Sequence, residues 1–246
     1  MARGITTIDA GAPYTRAMLT LVLTRHGLTI RSNPEQHLGQ KIDVPLSPEG
    51  REQALAIAAR LAPVAFDRII ASPLERARET AEAIADTPVR PLPRPPVELD
   101  PRLVEMDYGE WEGLTYEEID ARFGSERHRW EANPARLSYP GGESGNDVAR
   151  RVRAVLDDLL IDHASGHGAG KNVERSVLAV AHSSVNRILL CVALGIPVRE
   201  FRGRVVQGQV NITALRYQDG DGPADAQLIL LNDLEHLRRP PLSPWE

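Results

Sequence analysis

The chain of 246 residues contains little cysteine, little lysine and no long apolar segment. Its single cysteine, Cys191, cannot form an internal disulfide, and its apolar neighbours predict a buried structural thiol in a reducing compartment. No run approaches the ~20 apolar residues that span a bilayer, and residues 1–17 lack the apolar centre of a secretory signal. We therefore expect a cytoplasmic protein that contacts no membrane.

The chain also lacks a net positive charge, since its formal net charge is -5 at pH 7. A nucleic-acid surface needs a basic face that displaces counterions, so this composition argues against a nucleic-acid partner. Only Lys41 and Lys171 are lysines, and the other basic residues are arginines. Any bound anion must therefore be held locally by guanidinium groups, which are always charged and match the geometry of phosphate.

Apolar runs that alternate with helix-start signals predict an α/β fold. We expect a three-layer sandwich, with a mostly parallel central sheet, helices on both faces and an antiparallel edge strand. The predicted strands lie at 19–23, 66–71, 176–181, 210–217 and 227–232. The predicted helices lie at 47–61, at 72–85, after Thr115, after Ser144 and at 184–194. A Ser-Pro pair begins each of the first two helices, and capping boxes begin the next two.

We expect a single domain over residues 18–235, between a flexible N-terminal arm, 1–17, and a proline-rich tail, 236–246. Five prolines over 88–96 predict an extended connector, because proline has no backbone donor and disfavours helix in the residue before it. Glycines predict a polar loop at 166–171. The sequence leaves a homodimer open.

The segment Thr24-Arg25-His26-Gly27 follows the first apolar run directly. The carboxyl ends of the strands are where an open α/β sheet presents reactive groups to a ligand. A neutral imidazole can attack phosphorus, and an adjacent guanidinium can hold two phosphoryl oxygens. Gly27 would let the backbone approach the anion closely. These residue types indicate phosphate chemistry.

Three further segments place reactive side chains after a strand or in a loop. Arg76 lies in the first turn of a predicted helix, where a bound phosphate would offset a helix-dipole cost of ~0.3–1 kcal/mol. His182 follows a strand as His26 does, and it could act as a cationic hydrogen-bond donor to a phosphoryl group. The irregular segment 103–113 is rich in carboxylates, one of which could protonate a leaving oxygen, although composition does not say which.

Taken in their order along the chain, the four motifs resemble the histidine phosphatase superfamily, also called phosphoglycerate mutase-like, and within it the phosphatase branch. The resemblance covers residues 19–231. It implies that His26 is the nucleophile and becomes phosphohistidine. It assigns the rest of the phosphate pocket to Arg25, Arg76 and His182, and proton donation to Glu105. The implied activity is a metal-independent phosphomonoesterase that needs no cofactor and acts on a small phosphorylated metabolite.

Two further elements match the family pattern. Asp43 and Leu46 fit an Asp-x-Pro-Leu continuation of the first motif, and the segment 140–144 resembles a Gly-Glu-Ser element that precedes a helix. The chain departs from the pattern after Thr29, where Ser32 occupies the usual asparagine position and Asn33 comes one residue late. We keep Asn33 as a phosphate-binding candidate.

Ser183 is a further phosphate-binding candidate, because it places a hydroxyl where the family often has glycine. Candidates for substrate specificity are Thr29, Tyr108 and Trp111, although the aromatic side chains could equally serve ordinary packing. His163 and His167 have helical spacing, but the glycines around His167 predict a loop, and we expect no metal site.

Two other functions stay open. A cofactor-dependent phosphoglycerate mutase would return the phosphoryl group to a sugar acid, but we find no additional substrate-binding segment between residue 113 and the Gly-Glu-Ser element. A catalytically silent module that binds a phosphorylated ligand would keep the fold alone. Both arginines, both histidines and Glu105 are present, which argues against a silent module.

Overall fold

The computed structural model describes residues 18–88, 94–165 and 174–237. The predicted arm 1–17 and loop 166–171 lie outside the described residues, as do 89–93 of the connector and 238–246 of the tail. The strands are β1 (Met18–Arg25), β2 (Arg68–Ala71), β3 (Val97–Leu99), β4 (Glu174–Ala181), β5 (Ile212–Gln218) and β6 (Gln227–Asp233). The α-helices are α1 (Pro48–Leu61), α2 (Glu75–Ala85), α3 (Tyr116–Ala132), α4 (Gly145–Ser165), α5 (Ser183–Ala193) and α6 (Phe201–Arg204).

The six strands form one sheet in the order β3-β2-β4-β1-β5-β6. The first four strands in this order are parallel, whereas β5 pairs antiparallel with both β1 and β6. This arrangement confirms the predicted α/β fold. Arg25 at the end of β1 lies in register with Ala181 at the end of β4. The residues that follow, His26 and His182, therefore leave the sheet side by side.

Two cores flank the sheet, because successive strand residues face opposite sides. Helices α1 and α2 cover one face, where their apolar residues pack on Val22, Ile69 and Leu178. Helices α4 and α5 cover the other face, against Leu21, Leu23 and Ala179. The sheet is thus held between helical layers with the ends of β1, β2 and β4 at one edge, and none of the described helices is long and apolar enough to cross a membrane.

Helix α2 begins later than predicted. Its first residue is Glu75, and the Ser72 hydroxyl accepts from the Leu74 N–H (3.2 Å) without capping the helix. The Asp43 carboxylate, from a distant loop, accepts from the Glu75 N–H at 2.9 and 3.0 Å instead. This long-range cap leaves the Ser72 hydroxyl free for a second contact near the end of β4.

Three other elements differ from the sequence prediction. Strand β3 was missed because it has only three, mostly exposed residues after the prolines. Helix α3 has 17 residues, whereas the capping box at Thr115 predicted only a short helix, and it bends at Phe123, where φ is −132°. Helix α4 continues to Ser165, so His163 lies on a helix and not in a loop.

Candidate active site

His26 follows β1 and is held as a neutral ring with one free nitrogen. Its Nδ1 lies 2.7 Å from the carbonyl oxygen of Gly27. A carbonyl can only accept, so Nδ1 carries the proton and Nε2 keeps its lone pair. Burial, with the positive charges of Arg76 and Arg25, lowers the pKa of His26 well below 6.5. A neutral imidazole with an exposed lone pair is the form that can attack phosphorus.

His182 lies beside His26, with 5.1 Å between the ring centroids. Its Nε2 is 2.8 Å from the Ser72 hydroxyl, and its Nδ1 is buried without a hydrogen-bond partner among the described residues. Burial, with the charge on Arg76, lowers the pKa of His182 well below 6.5. The expected cationic His182 is therefore wrong for the free protein. A neutral ring still donates from Nδ1 when Nε2 accepts from the Ser72 hydroxyl.

Arg76 is fully buried in the first turn of α2, and a loop of main-chain oxygens surrounds it. Its guanidinium donates to the carbonyl oxygens of Leu38 (3.1 Å), Gly39 (2.9 Å) and Ile42 (3.4 Å). The Asp43 carboxylate lies 3.6 Å away. These contacts fix the orientation of the guanidinium plane while its Nε has no partner among the described residues.

Arg25, like Arg76, has a bonded terminal nitrogen and an Nε without a partner among the described residues. One of its terminal nitrogens donates to the carbonyl oxygen of Gln207 (3.2 Å), but its Nε is buried and has no acceptor in the described chain. Arg25, Arg76 and His182 thus each have one buried nitrogen without a partner among the described residues; the two arginines act on the pKa of His26, and the His182 ring lies beside it. Because buried donors are nearly always satisfied, these three suit an anionic acceptor next to His26.

Glu105 lies at the N-terminus of α5, one turn from His182. Its buried carboxylate accepts from the N–H groups of Ser184 (3.2 Å), Val185 (3.3 Å) and Met106 (2.8 Å). Each carboxylate oxygen has two lone-pair sites, so these bonds leave room for a proton. Glu105 also lines the cleft that His26 and Arg25 line.

The three acidic neighbours of Glu105 have other surroundings. The Asp107 carboxylate accepts from the Gly109 N–H (2.8 Å), and Glu110 is exposed. One Glu112 oxygen accepts from the N–H groups of residues 41–42 at 2.7 and 2.6 Å. Glu105 is therefore the acidic residue of this loop that faces the cleft.

The Gly-Glu-Ser element braces the Glu105 loop, a role that sequence reasoning missed. The Glu143 carboxylate accepts from the Gln40 amide (3.0 Å), the Asp107 N–H (2.9 Å) and the Arg151 guanidinium (3.1 Å). Gln40 and Arg151 in turn donate to the carbonyl oxygen of Glu105 (2.8 and 3.2 Å). Glu143 is thus a positioning residue that acts through the backbone of Glu105.

Gly27 is needed for close packing and not, as the sequence suggested, for close approach of the backbone to an anion. A Cβ atom there would lie 2.6 Å from the carbonyl oxygen of Gly50 in α1, and its N–H donates to the Thr80 hydroxyl (3.2 Å). The residue must be small because the loop packs closely on a helix. Its N–H has a protein acceptor already, so the structure gives no support to backbone binding of the anion at Gly27.

The cleft beside His26 has a volume of about 210 Å³. Of the predicted site residues, its lining includes Arg25, His26, Thr29, Glu105, Tyr108 and Ser183. Arg76 and His182 are buried and are not among the lining residues. The predicted residues therefore divide into those that line the cleft and two that are buried, the charged Arg76 and the neutral His182, whose ring lies beside that of His26.

Two predicted residues lie elsewhere. Trp111 is buried in the core, edge-on to Tyr139 and Trp130, and does not line the cleft, so its aromatic ring serves packing. Asn33 is exposed and outside the lining, whereas Ser32 lines the cleft. The Ser32 hydroxyl is occupied with Thr29, whose N–H it accepts at 2.9 Å. The structure therefore does not support phosphate binding by Asn33.

Sequence reasoning missed three residues that line the outer cleft, His37, Arg187 and Arg202, whereas Tyr116 and Tyr139, which also line it, lie among the aromatic residues that the sequence suggested for substrate specificity. Arg187 had a usable signal, because it stands three and four residues after Ser184 and Ser183 and so shares their face of α5. Arg202 lies in the short helix α6 and had no local signal.

Comparison with protein families matches residues 21–228 to the histidine phosphatase superfamily (branch 1). The chain belongs to this superfamily. A glucosyl-3-phosphoglycerate phosphatase of Mycolicibacterium vanbaalenii is 38% identical over 178 residues, 72% of this chain and 75% of that one. Phosphoserine phosphatase 1 of Hydrogenobacter thermophilus is 29% identical over 184 residues, 75% of this chain and 80% of that one.

Solved structures give the same result. The native structure of a mycobacterial glucosyl-3-phosphoglycerate phosphatase matches with a TM-score of 0.74 and 31% identity, over 87% of this chain and 99% of that one. Histidine phosphatase structures thus share the α/β fold described above. Because its relatives are named as phosphatases, we conclude that the chain is a phosphatase enzyme of this superfamily.

Proposed function

We propose that this histidine phosphatase is a metal-independent phosphomonoesterase that acts through phosphohistidine at His26. The observation that carries the proposal is the presence of three buried nitrogens without partners among the described residues, Arg25 Nε, Arg76 Nε and His182 Nδ1, in side chains close to a neutral nucleophile. A phosphoryl group accepts from these donors while its phosphorus faces His26 Nε2.

The reaction consists of two displacements. In the first, His26 Nε2 forms a bond to phosphorus, the ester P–O bond breaks, and Glu105 gives its proton to the departing alkoxide. In the second, water attacks the phosphohistidine, its proton passes to Glu105, and the P–N bond breaks to release inorganic phosphate. Glu105 and His26 return to their starting states, so the cycle needs no other reactant.

Side chains of the protein neutralise the negative charge of the phosphoryl group. A dianion placed between Arg25 and Arg76 is neutralised by two permanent cations, and His182 adds a neutral donor. Within the described ranges, no three His, Cys, Asp or Glu residues are grouped so as to hold a metal ion. Fixed guanidinium groups take the electrostatic role that magnesium has in many phosphoryl-transfer sites.

The substrate class follows from the cleft and the relatives. A cleft of about 210 Å³ suits a small metabolite, and the relatives are named for glucosyl-3-phosphoglycerate and for phosphoserine, which are small phosphate esters. Water is the expected acceptor, because both names describe phosphatases. A mutase would instead transfer the phosphoryl group to a second sugar acid.

The test is a panel of small phosphate monoesters assayed in excess EDTA, with phosphate release and phosphoryl transfer to added glycerate measured together. We expect release of inorganic phosphate to persist in EDTA and to be inhibited by vanadate, which adopts the five-coordinate geometry of phosphoryl transfer. A strict requirement for added magnesium or zinc would overturn metal independence. Transfer faster than release would identify a mutase.

A further inference from the structure

A ring of hydrogen bonds between three buried polar side chains lies beside the end of β1. Gln207 Nε2 donates to the Thr213 hydroxyl (3.1 Å), the Thr213 hydroxyl donates to Asn211 Oδ1 (3.1 Å), and Asn211 Nδ2 donates to Gln207 Oε1 (3.0 Å). The three residues are at most 1% exposed. Thr213 is in register with Leu23 of β1, two residues before Arg25. The ring therefore adjoins the strand that leads into the active site.

Every polar hydrogen of these three side chains has an acceptor. The second amide hydrogen of Gln207 is donated to the carbonyl oxygen of Val206 (3.0 Å), and that of Asn211 to the carbonyl oxygen of Gly208 (2.8 Å). The hydroxyl hydrogen of Thr213 is used within the ring. A buried polar network whose donors are all bonded is rigid and specifies one arrangement of its members. The ring consequently fixes the backbone of the loop 206–211.

The backbone of this loop includes an uncommon conformation. Val210 is buried and has a φ of 46°, which a β-branched residue adopts only where its surroundings impose it. Two residues earlier, the Gly208 N–H donates to the Asn232 side chain (2.8 Å), which ties the loop to β6. The Val210 N–H donates to the carbonyl oxygen of Arg25 (3.0 Å). The strained residue is thus one that joins the loop to the end of β1.

The loop contacts Arg25 at its side chain as well as at its main chain. One terminal nitrogen of the guanidinium donates to the carbonyl oxygen of Gln207 (3.2 Å). The other terminal nitrogen lies 4.0 Å from the exposed Glu35 carboxylate, and Nε has no acceptor among the described residues. Because a guanidinium is planar, a bond at one terminal nitrogen also restricts the direction of the Nε–H. The bond to the Gln207 carbonyl therefore orients the unpartnered Nε.

We propose that Gln207, Asn211 and Thr213 are positioning residues, whose hydrogen-bonded ring holds the guanidinium of Arg25 in the orientation that receives a phosphoryl group. The inference rests on the proposed function, because that function assigns phosphate binding to Arg25. The ring residues are not among those that line the cleft, so they act through the loop backbone. A carbonyl oxygen orients the guanidinium and leaves its positive charge for the phosphate, whereas a carboxylate in its place would neutralise that charge.

The experiment compares Thr213→Val with Thr213→Ser in the full-length protein. Valine keeps the branched shape of threonine but breaks two of the three bonds of the ring, whereas serine keeps the hydroxyl. Calorimetry measures the binding of orthovanadate, which mimics the transferring phosphoryl group. We expect Thr213→Val to weaken this binding about 3- to 10-fold, the range for a net hydrogen bond, and Thr213→Ser to retain the wild-type affinity. Gln207→Met opens the ring at another residue and decides the test if Thr213→Val does not fold.

A double-mutant cycle tests whether the effect of the ring passes through Arg25. Arg25→Gln alone should weaken vanadate binding about 10- to 100-fold, the range for a hydrogen bond to a charged group. In Arg25→Gln protein, Thr213→Val should then cause no further loss. The control for lost stability is Ile57→Val, at a buried residue of α1, which should leave vanadate binding unchanged. Losses that multiply in the double variant would indicate a general structural role and overturn the inference.

A measurement on the free protein separates this inference from the proposed function. NMR of the arginine side chains, with the Arg25 Nε–H signal identified by its absence from Arg25→Gln, measures the exchange of that hydrogen with water. We expect slow exchange in wild type and Thr213→Ser, and exchange about tenfold faster or more in Thr213→Val and Gln207→Met. If this pattern appears but wild type binds no vanadate, the proposed function fails and the positioning of Arg25 stands. Equal exchange rates in these four proteins overturn the inference, even where vanadate binds.

Discussion

Replacing Glu105 with glutamine removes one transferable proton and keeps the shape of the side chain. The structure predicts two separable consequences. The carboxylate accepts from the N–H groups of Ser184 and Val185, and a glutamine presents an amide NH₂ to one of them. A buried donor that loses its acceptor costs about 1–3 kcal/mol of folding free energy. This loss changes the amount of folded protein and does not depend on the substrate.

The second consequence does depend on the substrate. A general acid contributes ~10²–10⁴-fold when the leaving oxygen needs a proton. We therefore expect Glu105→Gln to lower kcat/KM for an alkyl phosphate by that factor and for p-nitrophenyl phosphate by much less. The phenolate leaves unprotonated, but water attack on phosphohistidine still lacks its base. A burst of nitrophenol followed by slow turnover should therefore appear in stopped-flow traces.

Glu110→Gln is the matched control, because this exposed carboxylate lies in the same loop. Glu110→Gln should leave kcat/KM for both substrates close to the wild-type values. A urea unfolding curve for each variant measures the change in folding free energy separately. A general-acid role of Glu105 is refuted if Glu105→Gln lowers kcat/KM for both substrates by the same factor. It is also refuted if Asp107→Asn alone shows the dependence on leaving group.

Three further predictions concern the residues around the site. Ser72→Ala removes the hydroxyl that lies 2.8 Å from His182 Nε2, so that no hydrogen bond from residue 72 fixes which ring nitrogen carries the proton. We expect kcat/KM to fall about tenfold. Ser72→Thr keeps a hydroxyl and should retain most of the wild-type kcat/KM. Glu112→Gln weakens the acceptor for the N–H groups of residues 41–42, in the loop whose carbonyl oxygens contact Arg76. We expect the free energy of unfolding measured in urea to fall by about 1–3 kcal/mol, and Glu110→Gln to leave it unchanged. Burial lowers the pKa of His37 to about 4, so below pH 6.5 the unfolded chain binds a proton that the folded protein excludes. Unfolding free energy should therefore fall by about 1.4 kcal/mol per pH unit from 6.5 toward 4 for this residue, and His37→Gln should flatten that slope; an unchanged slope would contradict the assignment.

The sequence predicted the parts of the site that local patterns encode. Arg25, His26 and His182 follow apolar runs, and strand register then brings the two histidines together. The protonation state of His182 could not be predicted this way, because it depends on burial and on the charge of Arg76 from another helix. Residue type and position in the chain therefore indicated the site without its electrostatics.

Contacts between distant segments explain the remaining differences. Asp43 replaces Ser72 as the cap of α2 across 32 positions, and Glu143 braces a loop 36 positions away at Asp107. No window of neighbouring residues contains both partners of such a bond. Arg202 reaches the cleft because a short helix packs on Tyr116 and Trp130, so its place depended on tertiary structure.

In the proposed mechanism, His26 carries the phosphoryl group during turnover. The direct measurement is rapid quenching of the enzyme and an aryl phosphate into alkali, where phosphohistidine is stable, followed by digestion and tandem mass spectrometry. The phosphohistidine mechanism requires phosphate on His26, formed as fast as the nitrophenol burst and absent from folded His26→Ala protein. Phosphate on His182, or a burst without any phosphorylated histidine, would contradict it.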